Sequence, residues 1–176
     1  MSAATGVRKT EFSYFAASVL LCSLGAAFLL PYKIRGDEKK PSAPWASSQV
    51  LQPAGLAGEL SDKNGAPPTI VYVGFHTLFA GGHIAGASFN GTGSTEQGIA
   101  GLKKWAESLP RSTNLVIYCG CCPFEKCPNI RPAYSALSEM GFKKLRVLMI
   151  RTNFATDWVD HGYPIQKEMQ PVRAVS

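Results

Sequence analysis

The sequence has no run of lysine and arginine interleaved with aromatic residues, and that absence argues against a nucleic-acid partner. It has no glycine-rich phosphate loop, no serine–histidine–aspartate set and no carboxylate pair suited to acid–base chemistry. Histidine is scarce: His76, His83 and His161 are the three copies, and none stands at a ligand spacing from another or from a cysteine. No segment repeats at a fixed period, which excludes a solenoid or a propeller. Charged residues are also few, 17% against 45% apolar, a balance that belongs to a globular chain and not a disordered one. The net charge of +6 is split, because residues 1–40 hold six Lys/Arg against three acids and the rest hold twelve against nine. At 176 residues the chain has room for one domain and some additions. Cysteine is the exception to this sparseness, since four of the five copies fall within nine positions, "CGCCPFEKC" at 119–127.

After Arg8 and Lys9 comes "FSYFAASVLLCSLGAAFLLPY", residues 12–32, with no charged side chain. As a helix it would rise roughly 31 Å, about the thickness of a hydrocarbon core. The apolar part of a cleaved signal is shorter, roughly 7–15 residues. The expectation is an uncleaved signal anchor or transmembrane helix over 1–33, with a cleaved signal and a buried globular helix as alternatives. Lys33, Arg35, Lys39 and Lys40 follow the span, so the positive charges alone do not favour an exported domain. A short N-terminal tail ahead of a single span is nevertheless the usual layout of a signal anchor, which places the domain on the exported side (periplasmic or extracytoplasmic). Cys22 lies inside the span as a small apolar residue. Residues 34–49, charged and then rich in proline and serine, read as a linker. A domain over 50–167 and a tail over 168–176 complete the organisation.

From about residue 50 strand and helix alternate. "QPAGLAGELSDKNG" (52–65) suits a short helix with Pro53 near its start. "PTIVYVGF" (68–75) is β-branched and aromatic, a strand, and "GASF" (86–89) a second short one. "STEQGIAGLKKWAESLP" (94–110) opens on a capping-box spacing, Ser94 to Gln97, and puts Ile99, Leu102, Ala106 and Leu109 on one helical face. "NLVIYC" (114–119) is continuously apolar, as a strand buried on both faces should be. "IRPAYSALSEMG" (130–141) is a helix with Ala133, Leu137 and Met140 on one stripe, stopped by Gly141. "KLRVLMI" (144–150) is another strand and "NFATDWVDHG" (153–162) a last short helix. This order predicts an α/β domain with a mostly parallel sheet, helices on both faces and a ligand site beyond the carboxyl ends of the strands. The cysteines begin where one strand ends.

"GGHIAGASF" (81–89), "NLVIYCG" (114–120), "ALSEMGFKKLRVL" (136–148) and "WVDHGYP" (158–164), in this order, resemble the rhodanese (sulfurtransferase) domain over roughly 50–167. The resemblance implies a three-layer fold with a five-stranded parallel sheet flanked by helices. It makes Cys119 the sulfur-accepting cysteine and the residues from Gly120 to about Arg131 the loop that cradles the sulfur. The implied activity moves sulfane sulfur from a small anion such as thiosulfate, or from a persulfide, through a Cys119 persulfide to a thiol acceptor, with no cofactor. Such a thiol must ionise, and backbone N–H groups near Asn129 together with Lys126 and Arg131 are the expected help. The chain departs from the family in three places. Tyr72-Val73-Gly74 stands where the family has Asp-x-Arg, the 22 residues from Cys119 to Gly141 make a longer loop, and four cysteines replace one.

The additional cysteines leave several readings open. Cys121, Cys122 or Cys127 can resolve a Cys119 persulfide, giving a disulfide and reduced sulfur. Cys119 and Cys122, as C-x-x-C, can instead form a thiol–disulfide oxidoreductase. The sulfurs can hold copper or zinc, although the spacing is poor for tetrahedral zinc and no metal is assigned. A structural Cys122–Cys127 bridge bracing the loop is the remaining alternative. His83 is expected to fix a turn, His76 and His161 to face solvent or cap, and Trp158 and Tyr163 to anchor the last helix.

Overall fold

The computed structural model describes residues 43–168. The expected anchor over 1–33 with Cys22, the first part of the linker, and residues 169–176 of the tail lie outside them. Among the described residues no helix is long and apolar enough to cross a membrane.

The chain runs through β1 (Val50–Leu51), α1 (Pro53–Ser61), β2 (Thr69–Tyr72), α2 (His76–Gly81), β3 (His83–Ile84) and β4 (Ala87–Phe89). It continues through α3 (Glu96–Glu107), β5 (Asn114–Tyr118), α4 (Ile130–Glu139), β6 (Lys144–Leu148) and β7 (Ile165–Gln166). Five strands form a sheet in the order β1-β6-β5-β2-β4, and every pairing in it is parallel. β5 is the central strand, with Val71 opposite Ile117 and Ile117 opposite Val147.

Side-chain alternation divides the core into two. Leu115 and Ile117 of β5 meet Leu102 and Ala106 of α3 and Ile130, Ala133 and Leu137 of α4. Val116 and Tyr118 face the other way, onto Leu56 of α1, Ile84 and Trp158. Each large side chain buried this way contributes about 1.5–3 kcal/mol, and this is why β5 is apolar and buried from Leu115 onward. From β6, Arg146 holds Glu59 of α1 with two hydrogen bonds of 2.5 and 2.7 Å and reaches Asn114 Oδ1 of β5 at 2.8 Å.

Several boundaries differ from expectation. α1 stops at Ser61 instead of 65, because the Asp62 carboxylate accepts the Asn64 N–H at 2.9 Å and turns the chain. α3 is capped one residue later than the Ser94–Gln97 spacing implies. Thr95 accepts the Gly98 N–H at 3.0 Å, whereas the Ser94 N–H goes to Asn129 Oδ1 at 3.1 Å. The last short helix is a π-helical turn, Ala155–Val159. β1, α2 and the antiparallel pair β3–β7 were not anticipated; two to six residues are too few to show a period. The end of the expected linker belongs to the domain. Trp45 packs on Phe124 and Tyr134, with ring centroids 5.5 and 5.3 Å away, and Gln49 bonds to the Leu145 carbonyl and the Tyr134 hydroxyl.

The histidines and the last aromatic pair serve the frame. His83 is buried, its Nδ1 2.8 Å from the Phe79 carbonyl and its ring stacked on Phe79. His76 opens α2, is exposed, and pairs with Glu168 at 3.3 Å; His161 is exposed and stacks on Tyr163. Trp158 is fully buried, donates its indole N–H to the Pro164 carbonyl, and takes the Tyr163 ring edge-on.

Candidate functional site

Cys119 directly follows β5, at the carboxyl end of the central strand. Alternation turns it to the same face as Leu115 and Ile117, under α4, and it is 2% exposed. The Cys119 sulfur lies 3.0 Å from that of Cys121, which in turn lies 3.4 Å from that of Cys122. Cys127, also buried, hydrogen-bonds to Cys119, and the sulfurs of Cys119, Cys121 and Cys127 all lie within 4.8 Å of one another. All four loop cysteines are unbridged thiols, so the alternative Cys122–Cys127 brace is not formed. Cys121, and not Cys122, is the near neighbour of Cys119.

Two further features complete the cluster, of which the Asn129 side chain was not foreseen from the sequence. Asn129, at the N-cap of α4, is fully buried and directs its Nδ2 at the sulfurs of Cys119 and Cys121, 3.5 Å from each. Its backbone is held from behind by Gly93, where a Cβ would come within 2.2 Å of the Asn129 carbonyl oxygen. The second feature is the Tyr72-Val73-Gly74 departure. A Cβ on Gly74 would fall 2.3 Å from Tyr72 Oη and 3.0 Å from Cys119 Sγ, so the phenol and the thiol share the space a side chain would fill. Tyr72 keeps its proton: burial raises its pKa first, and Cys119 and Cys121 raise it further, while the Phe75 N–H bonds to its oxygen. The charged pair of the family pattern is replaced here by a neutral phenol backing the sulfurs.

Charge is unevenly distributed among the thiols. Cys127 is lowered to about 6, first by the hydrogen bond from Cys119 and then, against burial, by the N–H groups of Asn129 and Ile130 at the start of α4. Cys119 moves upward, because it donates that hydrogen bond to Cys127 and is buried. Cys122 is pushed up to about 12, by burial first and then by Cys121. The shifts are opposite in direction because one hydrogen bond joins the pair: it favours the thiolate of Cys127 and holds the proton of Cys119. One thiolate per chain should appear in the ultraviolet spectrum as pH rises through about 6 and should vanish in Cys127→Ser. A titration showing no thiolate until the ordinary cysteine range would overturn this charge assignment.

The cations expected to draw in an anion stand elsewhere. The Arg131 guanidinium lies over the Trp45 ring, 5.5 Å from its centroid, and Lys126 is exposed on a 3-10 turn, Phe124–Lys126. Neither lines the cavity of about 520 Å³ that opens beside the cluster. Cys121, Gly120 and Tyr72 do line it, and the wall includes Lys167, for which the sequence carried no signal. Gly120 keeps its expected place in the cradle: a Cβ there would meet Phe154 Cβ at 2.5 Å, and its carbonyl accepts the Phe154 N–H. Cys119 lies behind Cys121 and not in the cavity wall. Three thiols in mutual reach can exchange sulfur or close a disulfide, and Cys119, Cys121 and Cys127 could ligate a soft cation such as Cu(I).

No protein-family model matches the chain, and no curated protein does. Solved structures resemble it. The rhodanese-like domain of the Alr3790 protein from Anabaena sp., in solution, is 20% identical, with a TM-score of 0.50 over 73% of this chain and 85% of that one. A crystal structure of Alr3790 gives 21% and 0.50 over 66% and 82%. The BH2092 protein from Bacillus halodurans is 16% identical, with a TM-score of 0.54 over 69% of this chain and 78% of that one. At these identities the likeness establishes the fold, which is rhodanese-like: a five-stranded parallel sheet with flanking helices.

Proposed function

We propose that the domain is a sulfurtransferase that carries sulfane sulfur as a persulfide on Cys119. The observation that carries this reading is geometric: Cys119, at the end of the central strand, has the sulfurs of Cys121 and Cys127 within 4.8 Å and Asn129 Nδ2 3.5 Å away. A donor reaches the cluster past Cys121. The Cys119 proton passes to Cys127, and the Cys119 thiolate attacks the terminal sulfur of the donor. With thiosulfate, the sulfur–sulfur bond breaks and sulfite leaves with the electron pair. The anion, first on Cys119 and then on its persulfide, is met by Asn129 Nδ2 and the Cys121 N–H. A thiol acceptor, small or protein-borne, then attacks the outer sulfur and restores Cys119.

A second outcome is favoured by the 3.0 Å separation of Cys119 and Cys121. Attack by Cys121 on the inner sulfur of the persulfide expels hydrosulfide and leaves a Cys119–Cys121 disulfide, which an external thiol reduces. The charge-free residues 12–32 support a membrane-held chain, with the domain on the exported side as part of the same proposal.

The deciding experiment is mass spectrometry of the intact protein after thiosulfate treatment, without reductant. A gain of one sulfur, mapped to the peptide that holds Cys119, is the expected result. A loss of two hydrogens with hydrosulfide released would mark resolution by Cys121, the same loss without hydrosulfide would point to dithiol chemistry, and unchanged mass would remove the proposal.

A further inference from the structure

Carrying a persulfide takes one cysteine, yet the loop gathers three sulfurs about one point. Those of Cys119, Cys121 and Cys127 all lie within 4.8 Å of one another, and none is bridged. Among the described residues no histidine or carboxylate joins them, so the donor set is sulfur alone. Such a set selects soft ions, Cu(I) and zinc foremost, over magnesium, calcium or manganese. Coordination number separates the two. Structural zinc is held by four ligands in a tetrahedron. Cys122 neighbours Cys121 at 3.4 Å but does not complete a set of four within the same reach. Three thiolates suffice for Cu(I).

The distances suit a trigonal ion. A metal about 2.3 Å from each sulfur, the length of a zinc–thiolate bond, sets three sulfurs about 4 Å apart. The Cys119–Cys121 separation of 3.0 Å has to widen by about 1 Å, and Cys121 sits on the irregular stretch after β5, outside helix and strand. The surroundings suit the charge. Asn129 Nδ2 stands 3.5 Å from the sulfurs of Cys119 and Cys121, and the N–H groups of Asn129 and Ile130 bond to Cys127. Donors of this kind orient thiolate ligands and take up part of their negative charge. Cys121 lines the cavity and gives an ion its way in.

We propose that Cys119, Cys121 and Cys127 form a Cu(I) site. The ion enters as Cu(I) and stays so: each thiol that ligates it releases a proton to solvent, and no electron moves. The site does not depend on the sulfur-transfer reading, but it shares Cys119 with it, so the copper ion and a persulfide exclude one another.

The test titrates the full chain with Cu(I), without oxygen, against the chromophoric chelator bicinchoninate. One equivalent should pass from chelator to protein, and X-ray absorption at the copper edge should show three sulfur neighbours. Loss of a hydrogen-bonding partner to a ligand costs about 10–100-fold in metal affinity, so loss of a ligand in Cys121→Ser or Cys127→Ser should cost about a hundredfold or more. Cys121 is half-buried on the loop, and its replacement spares the fold. Cys122→Ser should change the affinity by less than about twofold, and zinc in about hundredfold excess should not displace the copper. Copper that stays with the chelator, or binding that Cys121→Ser leaves intact, overturns the site. Binding lost in Cys122→Ser, or zinc held as firmly by four sulfurs, overturns the assignment to Cu(I). Copper-loaded protein should gain no sulfur from thiosulfate, and a gain with the copper retained would remove Cys119 from the ligand set. A chain that binds copper but accepts sulfur from no donor keeps this site and loses the sulfur-transfer reading, so the two fail separately.

Discussion

Cys119→Ser should lower sulfur transfer by about a thousandfold or more, because a hydroxyl at this site is neither ionised at neutral pH nor able to carry a sulfane sulfur. The side chain is nearly the same size and can still donate a hydrogen bond to Cys127, so the fold should survive with a change of about 1 kcal/mol or less. Turnover of thiosulfate and the mass gain should disappear together. The variant also separates the nucleophile from its partner. Cys127 is the thiol whose pKa is lowered, and a charge-based reading would make it the attacking atom. Were Cys119→Ser to retain turnover while Cys127→Ser abolished it, the nucleophile would be Cys127. With Cys119 as nucleophile, Cys127→Ser should instead lower the rate and move the pH profile upward, because the proton acceptor with its value near 6 is gone.

Asn129→Ala should reduce kcat/KM about a hundredfold, the size of effect seen when one preorganised donor is removed from an anion site. It should also cost about 2–3 kcal/mol of stability, because a buried side chain is lost and the Ser94 N–H loses its acceptor. The two losses can be told apart with Asn129→Asp. That side chain keeps an oxygen for Ser94 but offers the sulfurs a negative charge where Nδ2 stood 3.5 Å from each. Its unfolding midpoint in denaturant should lie closer to that of the original protein, while the thiolate midpoint should rise. Equal thiolate midpoints in Asn129→Asp and the unaltered chain would show that the residue only supports the fold.

Much of the frame was legible because its signals are local and long. β5 reads as a buried strand since both of its faces are covered, and α4 ends where Gly141, at φ 88°, takes the left-handed turn. The strand-end position of Cys119 followed from the same pattern. What could not be read depends on contacts between segments far apart in sequence. The order of cysteines gives no sign that Cys121 stands between Cys119 and the cavity, or that α4 lends its first N–H groups to Cys127. Lys126 and Arg131 looked suitable by nearness in the chain, yet Arg131 spends its guanidinium on Trp45. Lys167 reaches the cavity only through β7, which pairs with β3 across more than eighty residues. Asn129 had a faint signal, as a polar residue just ahead of a helix, but its second use as a donor to sulfur needs three dimensions.

Trp45 gives the domain a mechanical character. Its ring is wedged between Phe124, inside the cysteine loop, and Tyr134, on the helix that follows, with Arg131 laid across it. The polypeptide leading into the domain is thus fastened first to the sulfur-bearing loop and only afterwards to the sheet, through Val50 and Leu51. Tension on that leader would be felt at the thiols before it reached any strand.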